Sequence, residues 1–182
     1  MGETAAVDPN AVVAEIMTRS APVRLVAVDG PGGAGKSTFA GRLAAVAGAP
    51  VVPTDDFASW DDPLGWWPRM LEQVIEPLVR GEPARYQRFD WSTGRLAEWI
   101  TVEPAPIVVI EGVSSGRSEW AEHLAYVVWV ETPATTRLAR GLERDGDDAL
   151  DDWRAWMAAE DAHFERDRTR ERADLVIDGT AA

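Results

Sequence analysis

The chain has no cysteine and only one lysine in 182 residues. Without cysteine there is no disulfide to staple the fold and no thiolate to act as nucleophile or metal ligand, and the redox compartment leaves no mark on the sequence. No apolar run approaches the ~20 residues that a membrane-spanning helix needs. Positive charge is scarce: 18 Lys and Arg stand against 31 Asp and Glu, a net charge of −13. Nucleic-acid binding draws most of its affinity from Lys and Arg on phosphates, so this balance argues against a nucleic-acid partner. Met1 to Ser20 carry Glu3, Asp8 and Glu15 and lack a basic stretch followed by an apolar core, so the expectation is a cytoplasmic protein without a secretory leader. No internal repeat, linker or low-complexity tract divides the chain. With 46% hydrophobic and 27% charged residues, it reads as one soluble domain, 1–182, able to bury a core unaided.

The single lysine stands in an informative place. Gly30-Pro31-Gly32-Gly33-Ala34-Gly35-Lys36-Ser37 spells G-x-x-x-x-G-K-[ST] directly after an apolar run, Val23 to Val28, that reads as a buried strand. Glycines allow the positive φ values that bring successive backbone N–H groups together on an anion. From Thr38 onward, Phe39, Leu43 and Val46 at helical spacing start a helix whose positive end faces the same phosphates. Gly30, Gly32, Gly33, Ala34, Gly35, Lys36, Ser37 and Thr38 are therefore the candidate nucleotide-binding residues. Lys36 would reach the terminal phosphates, and the Ser37 hydroxyl would ligate Mg²⁺.

The rest of the chain alternates strands and helices. Asp8 and Pro9 cap a short amphipathic helix within residues 1–20, expected to pack on the domain. Pro50 to Pro53 is a brief strand that delivers Asp55, Asp56 and Phe57 at its carboxyl end. A helix begins at Trp67-Pro68 and stops at Gly81, and residues 84–91 and 95–102 form a hairpin around Ser92-Thr93-Gly94. Ile107 to Ile110 is a β-branched strand ending in Glu111-Gly112, and Val127 to Val130 is another. Thr132-Pro133 opens a helix with Thr132 as N-cap, a second helix spans roughly 149–168, and Leu175 to Ile177 closes the pattern. The predicted architecture is a three-layer α/β P-loop NTPase fold: a parallel sheet covered by helices on both faces, with a hairpin insertion near 84–102.

Ligands of such sheets bind at the carboxyl ends of the strands, which singles out Asp29 to Ser37, Asp55 with Asp56, Glu111, and the helix after Thr132. A carboxylate at Asp55 or Asp56 could orient an acceptor hydroxyl and take its proton late in phosphoryl transfer. Glu111 suits a Mg²⁺ contact, direct or through water. Arg137, Arg140 and Arg144 fall three and four apart on one helix face and could stabilise a transferring phosphoryl group, with the segment 137–155 closing as a lid. Nine tryptophans are present; Trp60, Trp66, Trp67 and Trp91 cluster near the acceptor region, whereas Trp129, Trp153 and Trp156 read as core.

These residues together resemble the uridine kinase-like branch of P-loop kinases, over residues 23–179. The family's Asp-x-Phe, whose Asp is the catalytic base, is similar to Asp55-Asp56-Phe57. Its aromatic-Asp-aromatic acceptor segment looks like Phe89-Asp90-Trp91 with Arg95 following. Its lid helix resembles Arg137-Leu138-Ala139-Arg140-Gly141-Leu142-Glu143-Arg144-Asp145. The resemblance implies ATP and Mg²⁺ as cofactors and a hydroxyl on a small molecule as acceptor. It implies Asp55, Lys36, Arg140 and Arg144 as catalytic residues and Ser37, Asp55 and Glu111 as the metal set. The acceptor contacts would come from Asp55, Phe57, Trp67, Arg69, Phe89, Asp90, Trp91 and Arg95. Ala58 stands where uridine kinases carry tyrosine, and Gly146-Asp147-Asp148-Ala149 stands where their lid has further arginines. A nucleoside is the favoured acceptor. A nucleoside monophosphate is a rival acceptor, with Arg69, Arg85, Arg88 and Arg95 as its phosphate ligands, and a sugar or vitamin is another. A reading of a different class is an NTPase regulator with no acceptor. Homo-oligomerisation is left open.

Overall fold

The β-branched runs build the strands, and the helical periodicities wrap them. The computed structural model describes residues 7–180. Its strands are β1 (Arg24–Asp29), β2 (Val51–Pro53), β3 (Ala84–Asp90), β4 (Arg95–Val102), β5 (Ile107–Glu111), β6 (Leu124–Glu131) and β7 (Leu175–Asp178). The helices are α1 (Pro9–Met17), α2 (Lys36–Ala47), α3 (Trp67–Met70), α4 (Glu76–Val79), α5 (Ala134–Asp145), α6 (Leu150–Asp167) and α7 (Thr169–Arg172). Five strands pair in parallel in the order β2-β5-β1-β6-β7, and β3 and β4 form the separate antiparallel hairpin expected from the sequence.

The parallel strands are apolar throughout because both faces are covered. Leu25, Val108 and Ile110 point into a core completed by Trp66, Met70, Ile75, Leu78, Tyr86 and Trp120. Their neighbours Val26, Val28, Ile107 and Val109 point the other way, against Val12 and Ile16 of α1 and Phe39 and Leu43 of α2. Burying each such side chain contributes about 1.5–3 kcal/mol.

Three local features depart from the simplest sequence reading. The helix expected from Trp67 to Gly81 is interrupted between α3 and α4 by a π-turn, Leu71–Ile75. Pro77 explains it: proline cannot donate to the Gln73 carbonyl and its ring crowds that oxygen, so the wider turn accommodates it. Thr132 is not the N-cap of α5; Pro133 occupies that position without a side-chain cap, and the Thr132 hydroxyl donates to the Ala34 carbonyl at 3.0 Å. Arg137 does not share the outward face of Arg140 and Arg144, being 5% exposed and turned inward.

α5 and α6 meet at Gly141, which lies flat under the Trp153 indole; a Cβ there would fall 2.6 Å from Trp153 Cζ2. Gly141→Ala should therefore lower stability by about 1–3 kcal/mol through overpacking. Urea unfolding monitored by circular dichroism measures this, and an unchanged midpoint would contradict the α5–α6 packing.

Candidate active site

Asp29 ends β1 with its side chain fully buried. Its Oδ1 accepts from the Gly30 N–H at 2.6 Å and the Ser114 N–H at 2.8 Å, and its Oδ2 accepts from the Gly116 N–H at 2.8 Å. These bonds join the start of the glycine-rich loop to the segment following β5, where Ser114 holds a left-handed φ of 63°. Burial pushes the Asp29 carboxyl up to about 7, against the opposing pull of the Gly116, Gly30 and Ser114 amides and of Lys36.

Beyond Gly30 the loop follows the bed that its glycines permit. Gly33 has φ 75° and lies so close to α5 that a Cβ would come 2.7 Å from the Arg137 carbonyl. Lys36 Nζ donates to the Pro31 carbonyl at 2.8 Å, folding its ammonium back over the loop. The Ser37 hydroxyl donates to Glu111 Oε1 at 3.1 Å. Burial raises the Glu111 carboxyl above its ordinary range, while Lys36 and the Ser37 hydroxyl pull it down.

These groups open into a cleft of about 750 Å³. Of the sequence-predicted residues, Gly32, Gly33, Gly35, Lys36, Ser37, Thr38, Asp55, Trp91, Glu111, Arg140 and Arg144 line it. Gly30 and Ala34 are buried within the loop itself. Arg140 Nη1 donates to the Gly33 carbonyl at 3.2 Å and the Gly179 carbonyl at 3.3 Å. Arg144 pairs with Asp145 at 2.8 Å and lies over the Trp153 ring at 5.6 Å.

Several predicted acceptor contacts fall elsewhere. Phe57 is 5% exposed and packs in the core, with its ring 4.8 Å from Tyr86. Arg69 lies over Phe57 at 4.6 Å and donates to the Asp56 carbonyl at 3.2 Å. Trp67 packs beneath the Arg117 guanidinium, 5.2 Å from it. Asp90 accepts from the backbone and hydroxyl of Ser92 in the hairpin turn, and Arg95 is its register partner. Phe89 does not line the cleft and packs edge to face on Trp91 at 5.8 Å. Asp56, beside Asp55, accepts the Tyr86 hydroxyl at 2.7 Å, and burial raises its carboxyl.

Three of the tryptophans that line the cleft, Trp60, Trp153 and Trp156, are absent from the predicted site residues. Trp60 sits edge-on to Trp91, Trp153 and Trp156 at 5.6, 6.3 and 5.5 Å, so an aromatic wall closes the side of the cleft beyond Asp55. Trp91 joins it to Asp55 directly, its indole N–H donating to the Asp55 carbonyl at 2.9 Å. Trp153 and Trp156 are indeed buried, as helical periodicity implies, but the edges they leave open face the cleft. Periodicity marks a buried face without saying what lies on its far side.

No protein-family model matches the sequence, and no curated protein matches it. Solved structures do. A possible uridine kinase from Bacillus stearothermophilus superposes with a TM-score of 0.71 at 20% identity, covering 93% of this chain and 97% of that one. A candidate fructose transport system kinase from Silicibacter sp. TM1040 gives 0.69 at 23%, covering 94% and 100%. D-glycerate 3-kinase from Cryptococcus neoformans var. grubii serotype A gives 0.54 at 14%, covering 90% and 82%. The chain thus has the α/β fold of the P-loop kinases. Among the described residues, no helix is long and apolar enough to cross a membrane.

The raised Asp29 carboxyl carries a pH signature. Its folded value of about 7 lies above the ordinary 3.8, so between those limits the folded state holds the proton that the unfolded state has released. Its contribution to stability is present below about pH 4 and is lost as pH rises toward 7, at up to about 1.4 kcal/mol per pH unit. The stability of the wild type relative to Asp29→Asn should fall across that window. Denaturant unfolding at stepped pH measures it; parallel profiles for the two proteins would refute the assignment.

Proposed function

We propose that the protein is an ATP-dependent kinase that phosphorylates a hydroxyl group on a small molecule, with a nucleoside as the acceptor class that fits best. The observation that carries this reading is the convergence of Lys36, the Ser37–Glu111 pair and Asp55 on one cleft. The loop amides and Lys36 would bind the triphosphate, with Arg140 and Arg144 beside the transferring group. Asp55, exposed to the cleft, would hold the acceptor hydroxyl in line and receive its proton.

Ser37 and Glu111 fit a magnesium ion shared with the phosphates. Among the described residues no cluster of three metal-ligating side chains could hold a cation alone. Mg²⁺ commonly uses one or two protein oxygens plus phosphates and water, and Ser37 and Glu111 would supply the protein oxygens. When bound, Mg²⁺ would neutralise phosphate charge.

Two features favour a nucleoside over a monophosphate. None of the four arginines that could take an acceptor phosphate lines the cleft. Arg69 is held against Asp56 and Phe57, Arg85 lies over Trp99 at 4.6 Å, Arg88 pairs with Glu98 at 2.8 Å, and Arg95 is exposed on the hairpin. In their place stands the wall of Trp60, Trp91, Trp153 and Trp156, whose apolar surfaces suit a planar base. We place the activity in the cytoplasm, where ATP is supplied.

An ATP-consumption screen over nucleosides, nucleotides, sugars and vitamins, with mass detection of one added phosphoryl group, tests the reading. A nucleoside should outperform its monophosphate. Asp55→Asn should lower kcat by about 10²–10⁴-fold, with the KM for ATP changed by no more than a few-fold. Acceptor-independent ATP hydrolysis that survives Asp55→Asn would instead identify a regulatory NTPase.

A further inference from the structure

The phosphate loop has a partner that its motif does not announce. Glu160 on α6 is 1% exposed. Its Oε2 accepts the Gly32 N–H at 2.8 Å and the Trp156 indole N–H at 3.1 Å, and its Oε1 accepts from Arg137 Nη1 at 2.7 Å. Arg137 is fixed in turn, its Nε donating to the Thr132 carbonyl at 3.1 Å. Removing both charges from water is costly, and such a pair adds little stability over an apolar substitute. Its value must lie in what it holds in place.

What it holds is the midpoint of the loop. Asp29 anchors the loop at Gly30, and Thr132 anchors it at Ala34. Between these points lie Gly32 and Gly33, which carry no side chain to pack and lose the most conformational freedom on ordering. A loop free to wander there must be ordered when an anion binds, and that entropy subtracts from affinity. Glu160 orders it beforehand, and through Trp156 sets the aromatic wall at the same time.

We propose that Glu160 is a positioning residue for nucleotide binding: from α6 it holds the Gly32 amide and the Trp156 indole, so that the phosphate loop is preshaped before the triphosphate arrives. This rests on the loop being the nucleotide site. The bonding pattern also dictates which side chains can serve. Every hydrogen-bond partner of the Glu160 carboxylate is a donor, so both of its oxygens must accept. Glutamine has the same shape but must turn its NH₂ against either Arg137 or the Gly32 and Trp156 N–H groups. If Arg137 is also removed, the NH₂ can face the vacated side and the amide oxygen can again accept from Gly32.

Calorimetric titration of the full chain with Mg·ATP and Mg·ADP tests this without an acceptor, and steady-state kinetics with thermal melts completes it. Glu160→Gln should weaken ATP binding at least tenfold and raise the KM for ATP. The double variant Arg137→Met with Glu160→Gln should recover most of that loss, even if Glu160→Gln alone is too unstable to titrate. ATP binding by Glu160→Gln within twofold of the wild type overturns the proposal, as does a double variant that binds ATP ten times more weakly than the wild type. A wild-type protein that binds neither nucleotide would remove the reading of the loop itself, a result distinct from either.

Discussion

The site depends on a carboxylate that never meets the cleft. A strand that runs out at the carboxyl end of a sheet leaves its last residues without partners, and a glycine-rich loop cannot supply them. Asp29 supplies them by accepting three backbone N–H groups, from Gly30, Ser114 and Gly116. The bonds tie the exit of β1 to the exit of β5, its hydrogen-bonded neighbour. Because the two exits are fixed together, Ser37 on one and Glu111 on the other meet at 3.1 Å. An acidic group left without donors in that interior would be intolerable, so the loop and the segment after β5 have little freedom to shift independently.

The second organising element is the layer that α5 and α6 lay over the loop. It sorts the arginine row by depth. Arg137 turns inward to Glu160, Arg140 reaches the loop and Gly179 carbonyls, and Arg144 stays at the rim with Asp145. Only the last two therefore face the cleft. α6 also brings Trp153 and Trp156 against Trp60, and Trp156 against Trp91, so one aromatic wall runs along the cleft.

Much of this was legible in the chain. The glycine-rich turn between β1 and α2, the alternation of strands and helices, the hairpin at 84–102, and the strand-end placement of Asp55 and Glu111 all follow from local pattern, because period and turn chemistry act over a few residues. The misses share one cause. Phe57 turns into the core, Trp67 packs under Arg117 and Arg69 is held over Phe57, all away from the cleft, since nearness in sequence to Asp55 does not say which way a side chain faces. Thr132 looked like a cap, but the Ala34 carbonyl competes for its hydroxyl. Glu160 had a faint signal: it lies four and seven residues after Trp156 and Trp153, a charge on an apolar stripe, which calls for a buried partner.

The sequence by itself determined the residues available: a glycine-rich loop with one lysine, Ser37 and Glu111 at strand ends, a carboxylate at Asp55, and a sheet buried on both faces. Those properties reside in residue types and short spacings. Tertiary structure alone decided which arginines reach the cleft, that four tryptophans distant in sequence form one wall, and that Glu160 clasps a loop 128 residues away. Each of these depends on how helices cross the sheet. That crossing is set by the summed packing of the whole core, which no short stretch of sequence contains.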